Sequence, residues 1–152
     1  MLNMKMVRML SMILLCLLMT ACSNAFAERE YHSDEKISQT SDRYAKEVSV
    51  GNSTNRQYSL TVGKFNGRET LWEETLEENQ DVEIDISFSL SNGRGKIVHI
   101  DKDDNVTTVI ECTPDTSTDG FVTKTLSLTS GQNRLKLVGY DCENIDLKIQ
   151  AH

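Results

Sequence analysis

The sequence predicts an all-β domain, an antiparallel β-sandwich of the jelly-roll type with about eight short strands, preceded by a signal peptide and a flexible tether. Three observations favour this class. Apolar and polar residues alternate through most of the chain after residue 57, turn-forming residues recur about every 8 to 12 positions, and helical periodicity is almost absent. The region 58–152, roughly 95 residues, is large enough for one hydrophobic core and too small for two.

The chain begins with a segment typical of export. Lys5 and Arg8 form a short positive region, and residues 9–19 are apolar apart from Ser11. A run of about 11 residues is too short to cross a bilayer core of roughly 30 Å at about 1.5 Å per residue, but it fits the apolar part of a signal peptide. Residues 1–21 are therefore predicted to be a signal peptide.

Two processing sites compete behind this apolar run. Residues 25–27 (Ala-Phe-Ala) match the pattern of ordinary signal peptidase, which would release a soluble, secreted chain beginning at Glu28. Residues 19–22 (Met-Thr-Ala-Cys) instead resemble the lipobox of bacterial lipoproteins, although Met19 replaces the usual leucine. Because Cys22 lies at the end of the apolar run, we favour lipidation. By that resemblance Cys22 carries a lipid that includes palmitate, and this lipid anchors the protein to the outer side of the cell membrane.

The region 22–57 is predicted to be a polar tether. Its residues are mixed in charge, and few apolar side chains are available to offset the entropy lost on ordering. A short helix near residues 42–47 is the alternative.

The strands follow from Tyr58 onwards. They are predicted at 58–62, 70–76, 81–90, 96–101, 106–112, 121–128, 133–140 and 145–149. The clearest is 81–90, because its even-numbered residues are all apolar and its odd-numbered residues are all polar, so that one face is buried and the other is wet. Asn66-Gly67 and residues 141–144 are predicted turns. The segment 69–79 has a poor apolar stripe as a helix, so we favour a strand that ends in an acidic turn.

Charge excludes one class of partner. Removing Lys5 and Arg8 with the signal peptide changes the net charge from −7 to −9. An acidic surface repels phosphate backbones, so the protein is not expected to bind nucleic acid.

Four cysteines are present, of which Cys16 leaves with the signal peptide and Cys22 carries the lipid. The remaining pair, Cys112 and Cys142, is predicted to form a disulfide, because an exported chain meets an oxidising environment. In a meander of the last four strands both would lie at the same end of the sandwich. Their spacing does not match a zinc site, and no cofactor is expected.

Three aromatic residues are candidates for ligand binding. Trp72, Tyr58 and Tyr140 could stack on sugar rings if they share an exposed face. The competing interpretation places them in the core, where Trp72 in particular would supply a large buried area.

Asp101, Asp103 and Asn105 are the candidate metal ligands, since their spacing is that of the first ligands of a calcium loop. Val106 and Cys112 stand where such a loop needs glycine and glutamate, so an Asx-rich hairpin turn explains the same residues.

A catalytic alternative rests on other side chains. His99 is the only histidine inside the predicted domain, and an acidic cluster occupies residues 73–83. No nucleophile motif accompanies His99, and the carboxylates crowd a turn, so no catalytic residue is assigned.

The order of these features resembles small surface lipoproteins of Gram-positive bacteria, which have a lipobox, a polar tether and one β-sandwich of the galactose-binding or carbohydrate-binding-module type. The resemblance rests on residues 65–67 (Phe-Asn-Gly), the long alternating strand, the hairpin with an acidic turn, and the closing segments 130–140 and 144–149.

The resemblance implies a function without enzymatic activity. The expected protein is a membrane-anchored extracellular lipoprotein whose β-sandwich binds or displays an unknown ligand, with a glycan or an envelope protein as partner. The alternatives are a secreted or anchored carbohydrate-binding module and an accessory domain of an envelope hydrolase.

Overall fold

The computed structural model describes residues 25–54 and 56–152 and confirms an all-β antiparallel fold. Two short helices come first, α1 over residues 25–31 and α2 at Asp34–Ile37. Seven strands follow in this part of the chain: β1 (Arg43–Thr54), β2 (Gln57–Leu76), β3 (Gln80–Ser89), β4 (Asn92–Ile100), β5 (Val106–Cys112), β6 (Val122–Leu128) and β7 (Gly131–Ala151). No helix within the described residues is long and apolar enough to cross a bilayer.

Two long strands, β2 and β7, run antiparallel along their whole length and belong to both layers of the sandwich. In the first layer β1, β2, the second half of β7, β3 and β6 lie side by side. In the second layer the first half of β7 lies between the second half of β2 and β4, and β4 pairs with β5. Strands β1, β5 and β6 therefore each have a single neighbour.

The main core fills the space between these layers. Its largest fully buried side chains include Phe65, Phe88, Ile97, Leu137 and Ile145, which come from β2, β3, β4 and β7. Strand β3 follows its predicted pattern, since its alternate residues Val82 to Phe88 are at most 2 % exposed. The segment 69–79 is also confirmed as a strand that ends in a turn, because β2 continues to Leu76.

Two predicted turns lie inside continuous strands, which reduces the expected eight strands to six, and the unpredicted β1 makes seven. Asn66-Gly67 lies at a register shift within β2, with Gly67 at φ +115°. Residues 141–144 bend β7, with Asp141 and Asn144 both at φ +51°. The amide N–H of Asp141 donates to the Asn66 side chain over 2.8 Å, so the two bends are joined to each other. Residues with a left-handed backbone conformation bend the strands at these positions, and the chain does not reverse direction there.

The predicted tether is wrong for residues 25–54, which form α1, α2 and β1. Strand β1 pairs with β2 from Arg43↔Arg68 to Thr54↔Gln57. The helices cover the outer face of the second layer, where Tyr31 and Ile37 are at most 2 % exposed. There they pack in a second apolar cluster with Val98, Ile100 and Val138.

Buried cations hold this N-terminal segment to the sheet. Arg68 donates to the Glu30 carboxylate over 2.5 Å and to the Gln39 side chain over 2.7 Å. Lys136 and Arg134 donate to the backbone carbonyl oxygens of residues 39 and 38, respectively. The three cationic side chains are at most 3 % exposed. Burial lowers the pKa of Lys136, and the nearby Asp42 carboxylate opposes that effect.

Candidate functional site

Tyr58 and Trp72 border one cavity at the end of the sandwich where β1 meets β2. Its floor is apolar, because Leu71, Ile84, Leu135 and Ile149 line it. Both aromatic side chains are half-buried, so each packs on the core and still presents surface to solvent. We call this cavity the aromatic groove.

An irregularity in β2 builds the groove. The pairing of β2 with β7 shifts register between Thr70 and Trp72, which places a bulge just before Trp72. A bulge turns the following side chain away from strict alternation. Neighbouring residues Leu71 and Trp72 can therefore both line the same cavity.

Arg56 closes one side of the groove. Its guanidinium donates to both carboxylate oxygens of Glu74, over 2.7 and 3.0 Å. Its backbone lies in the left-handed region at φ +64°, and its carbonyl oxygen accepts the N–H of Ala151 over 3.0 Å. The wall is therefore fixed through both the side chain and the backbone of Arg56.

A second, polar cavity adjoins the groove and shares Gln57, Tyr58 and Ile149 with it. We call it the polar pocket. Its remaining lining residues are Asn52, Thr54, Ser59, Lys148 and Gln150. Burial, followed by the charge of Glu69, raises the pKa of Tyr58 to about 12. The Tyr58 hydroxyl therefore keeps its proton, and stays able to donate a hydrogen bond, throughout the physiological pH range.

The third aromatic candidate, Tyr140, does not belong to this site. It packs edge-to-face against Tyr31, with ring centroids 5.2 Å apart, beside the second apolar cluster. The Tyr31 hydroxyl in turn donates to Glu111 over 2.8 Å. Tyr140 is thus part of the contact that holds α1 to the sheet.

The candidate metal ligands form a hairpin turn between β4 and β5. One carboxylate oxygen of Asp101 accepts the N–H groups of Asp103 and Asn105, each over 2.9 Å, and the other accepts the Asn105 side chain. Partial burial raises the pKa of Asp101, but the hydrogen bonds from Asn105 and Asp103 outweigh it and hold this pKa below its ordinary value. Within the described residues no group of three or more His, Cys, Asp or Glu could hold a metal ion.

His99 and two carboxylates of the catalytic alternative, Glu73 and Glu74, already have side-chain partners. His99 is buried, and its Nε2 lies 3.0 Å from the Asn133 side-chain oxygen. The Asn133 amide nitrogen donates to the backbone oxygens of Thr129, before β7, and of Gly131, its first residue. In the acidic cluster, Glu73 accepts a hydrogen bond from Gln132. His99 therefore acts in this structure as part of a turn-stabilising contact.

The predicted disulfide is absent, because Cys112 and Cys142 are both free, buried thiols. Cys112 pairs with Gly95, and Gly95 pairs with Gly139, whose backbone lies against the Cys142 sulfur. The two cysteines therefore lie in the same part of the core. Each thiol instead points at a carbonyl oxygen. Cys112 Sγ lies 3.3 Å from the oxygen of Phe88, and Cys142 Sγ lies 3.0 Å from that of Arg94.

We expect neither thiol to react with an alkylating reagent at pH 8 while the protein is folded. Burial, reinforced by the neighbouring Cys112, raises the pKa of Cys142 to about 12, and burial also raises that of Cys112. The thiolate is the reactive form and is scarce below such a pKa. Thiol titration without reductant should detect both groups only after denaturant is added. No thiol after denaturation would instead show a disulfide.

Comparisons with known proteins give structural neighbours only. No protein-family profile and no curated protein sequence matches the chain. Its fold is similar to a mutant of a family 29 carbohydrate-binding module, with 13 % identity, 74 % of this chain and 81 % of that chain covered, and a TM-score of 0.42. A related mutant complexed with mannohexaose has 12 % identity, the same coverage and a TM-score of 0.43. Another, complexed with cellulohexaose, has 14 % identity, 74 % and 80 % coverage, and a TM-score of 0.41. Alignment at this level identifies no ligand for this chain.

The sequence predicts Tyr58 and Trp72 as binding residues, but it does not predict the residues around them. Arg56, Gln57 and Lys148 looked like ordinary solvated polar residues, and nothing in their spacing distinguishes them. The Arg56-Glu74 pair joins residues 18 positions apart, which alternation along a single strand does not predict. The pairing of β2 with β7 brings Gln57 and Lys148 together, and Arg56 meets Glu74 because β2 passes from one layer of the sandwich to the other.

Proposed function

We propose that this chain is an exported, lipid-anchored protein that binds a carbohydrate in the aromatic groove and catalyses no reaction. The observation that carries the proposal is the pairing of Tyr58 and Trp72 over an apolar floor, next to a pocket of amide, hydroxyl and ammonium groups. A sugar ring has apolar C–H faces and hydroxyl edges, so it can use both parts. Small-molecule sites typically combine an apolar cavity with a few polar groups that fix orientation.

The anchor at Cys22 is supported by the course of α1. Ala27 is only 5 % exposed, and the Arg43 guanidinium lies 3.9 Å above the Phe26 ring. Cleavage after Ala27 would remove both residues from the helix, whereas cleavage before Cys22 would keep them. Processing at Cys22 is therefore the more compatible with a folded body that includes residues 25–31.

Binding without catalysis is supported by the state of the nearby carboxylates. Glu74 is held by Arg56 and Glu73 by Gln132, so both already have partners beside the groove. A glycosidase needs two carboxyl groups facing each other across the scissile bond. The groove presents aromatic and amide groups instead. An envelope protein remains the alternative partner, which the following experiment separates from a glycan.

Trp72→Ala is expected to weaken glycan binding about tenfold or more, because it removes one of the two stacking surfaces. The wild-type protein is first screened on a glycan array, and its affinity for the best oligosaccharide is then measured by titration calorimetry. Trp72→Phe should retain most of the affinity, since it keeps an aromatic face and much of the packing against the core.

Tyr140→Phe is the matched control and should bind as wild type does, because Tyr140 lies outside the groove. Circular dichroism establishes that each variant is folded. If the folded wild type binds no glycan on the array, or if Trp72→Ala binds as tightly as the wild type does, the proposed carbohydrate site is refuted.

A further inference from the structure

Helix α1 is fixed to the body of the protein along its length. Ala27 and Tyr31 are 5 % and 2 % exposed, and Glu30 forms a buried ion pair with Arg68. Because the helix is held at these points, the position of Ala25 relative to the sheets is also set. Any attachment just before Ala25 therefore determines how the whole domain is oriented.

The distance from the proposed acylation site to this helix is short. Cys22 precedes Ala25 by three residues, and consecutive Cα atoms are about 3.8 Å apart, so the two Cα atoms can be separated by at most about 11 Å. A tether of some 35 residues would have allowed the domain to move freely above the membrane. With residues 25–54 folded, that freedom is lost.

The surface beside Ala25 has the composition of a membrane interface. Phe26 and Tyr44 are 41 % and 45 % exposed, and the Arg43 side chain is 62 % exposed above the Phe26 ring. Aromatic rings and long cationic side chains favour the headgroup region, where an apolar part and a polar part can both be satisfied. Among the described residues, four of the five large exposed apolar side chains lie on α1 or β1.

We propose that the face formed by Phe26, Arg43 and Tyr44, the interfacial patch, rests on the lipid bilayer when Cys22 is acylated. The inference depends on the proposed anchor, and it adds an orientation to it. The acyl chains supply the membrane affinity, because the acidic protein gains little from electrostatic attraction to a lipid surface.

This orientation separates the membrane from the ligand site. The patch lies at the beginning of β1, and Ser53, which lines the aromatic groove, lies near its end. Nine residues at about 3.4 Å each place the groove roughly 30 Å along the strand from Tyr44. Most of the length of β1 then separates the groove from the bilayer, so that a ligand outside the cell can enter it.

Fluorescence quenching tests the proposed face on the acylated, full mature protein. Trp72 is the only tryptophan of the chain, so a Trp72→Phe background with Tyr44→Trp reports on the patch alone. The protein is reconstituted into phosphatidylcholine vesicles with brominated acyl chains, and its emission is compared with that in unbrominated vesicles. We expect about twofold quenching or more at this position, as for an aromatic side chain at the interface.

Two controls fix the geometry. Phe121 is similarly exposed, at 49 %, but precedes β6 at the opposite edge of the first layer, so Phe121→Trp in the same background should not be quenched. The wild-type protein should also be unquenched, because Trp72 lies in the groove. A Phe26→Trp variant provides a second probe of the patch if Tyr44→Trp does not fold.

The outcomes distinguish this inference from the proposed anchor. An intact mass that includes the acyl group, together with no quenching at either patch position, overturns the orientation and leaves the anchor standing. Equal quenching of the patch and Phe121 probes overturns it as well. An intact mass without an acyl group refutes the anchor, and the inference with it.

Discussion

Arg68→Ala is expected to lower the free energy of unfolding by about 3 kcal/mol, because it leaves the buried Glu30 carboxylate with only the exposed Arg43 side chain, 4.0 Å away. The ion pair is 2.5 Å long, and its side chains are only 3 % and 5 % exposed. The same substitution removes the hydrogen bond to Gln39. Urea denaturation of the wild-type and variant proteins measures the difference.

The matched control is Arg94→Ala. Arg94 pairs with Glu111 over 3.1 Å, but the two side chains are 45 % and 44 % exposed. An exposed pair contributes about 1 kcal/mol or less, so this variant should be nearly as stable as the wild type. Equal, small effects of both substitutions would show that residues 25–42 are not part of the cooperative fold.

Gly67→Ala is the second substitution with a large expected effect, a loss of about 3 kcal/mol in unfolding free energy. Gly67 has φ +115°, and a Cβ atom there would lie 2.1 Å from the Arg43 carbonyl oxygen and 2.8 Å from Tyr44 Cα. Both are backbone atoms of β1, so the strand itself must move. Hydrogen exchange should show reduced protection of the β1 amides in this variant.

Gly120→Ala provides the control for backbone strain alone. Gly120 has φ +86°, and nothing lies within 4 Å of the corresponding Cβ position. Only the left-handed conformation then opposes alanine, at a cost of about 1 kcal/mol. If the two variants lose the same stability, β1 does not pack against Gly67 as described.

The fold class was predictable because alternation is a direct consequence of strand geometry. Strand β3 shows this most clearly, since its period-two pattern matches its burial residue by residue. Strand β5 was predicted with its observed bounds, Val106–Cys112. Local pattern sufficed wherever a strand has one wet and one buried face.

Alternation did not predict burial where the N-terminal segment, residues 25–42, covers the outer face of the second layer. Arg134 and Lys136 alternate with Leu135 and Leu137, which is the pattern of a wet face, yet all four are buried. The covering segment offers only isolated apolar residues such as Tyr31, so its composition resembles that of a tether. Its contacts with the sheet join residues nearly 100 positions apart, and no local signal encodes them.

Turn residues were also ambiguous at the sequence level. Asn-Gly is the strongest signal for a tight hairpin, because both residues accept positive φ. A bulge within a long strand requires the same conformational freedom. Which of the two forms at Gly67 depends on β1 and β7, which flank β2 on both sides. The bulge before Trp72, and with it the groove, was unpredictable for the same reason.

The position of the mature N-terminus decides both the anchor and the start of the folded body. The protein is extracted from cells in detergent, and its intact mass and N-terminal peptide are determined by mass spectrometry. We expect a chain that begins at Cys22 with a diacylglyceryl group on its sulfur, and loss of labelled palmitate in Cys22→Ala. A chain that begins at Glu28 without an acyl group would contradict this expectation.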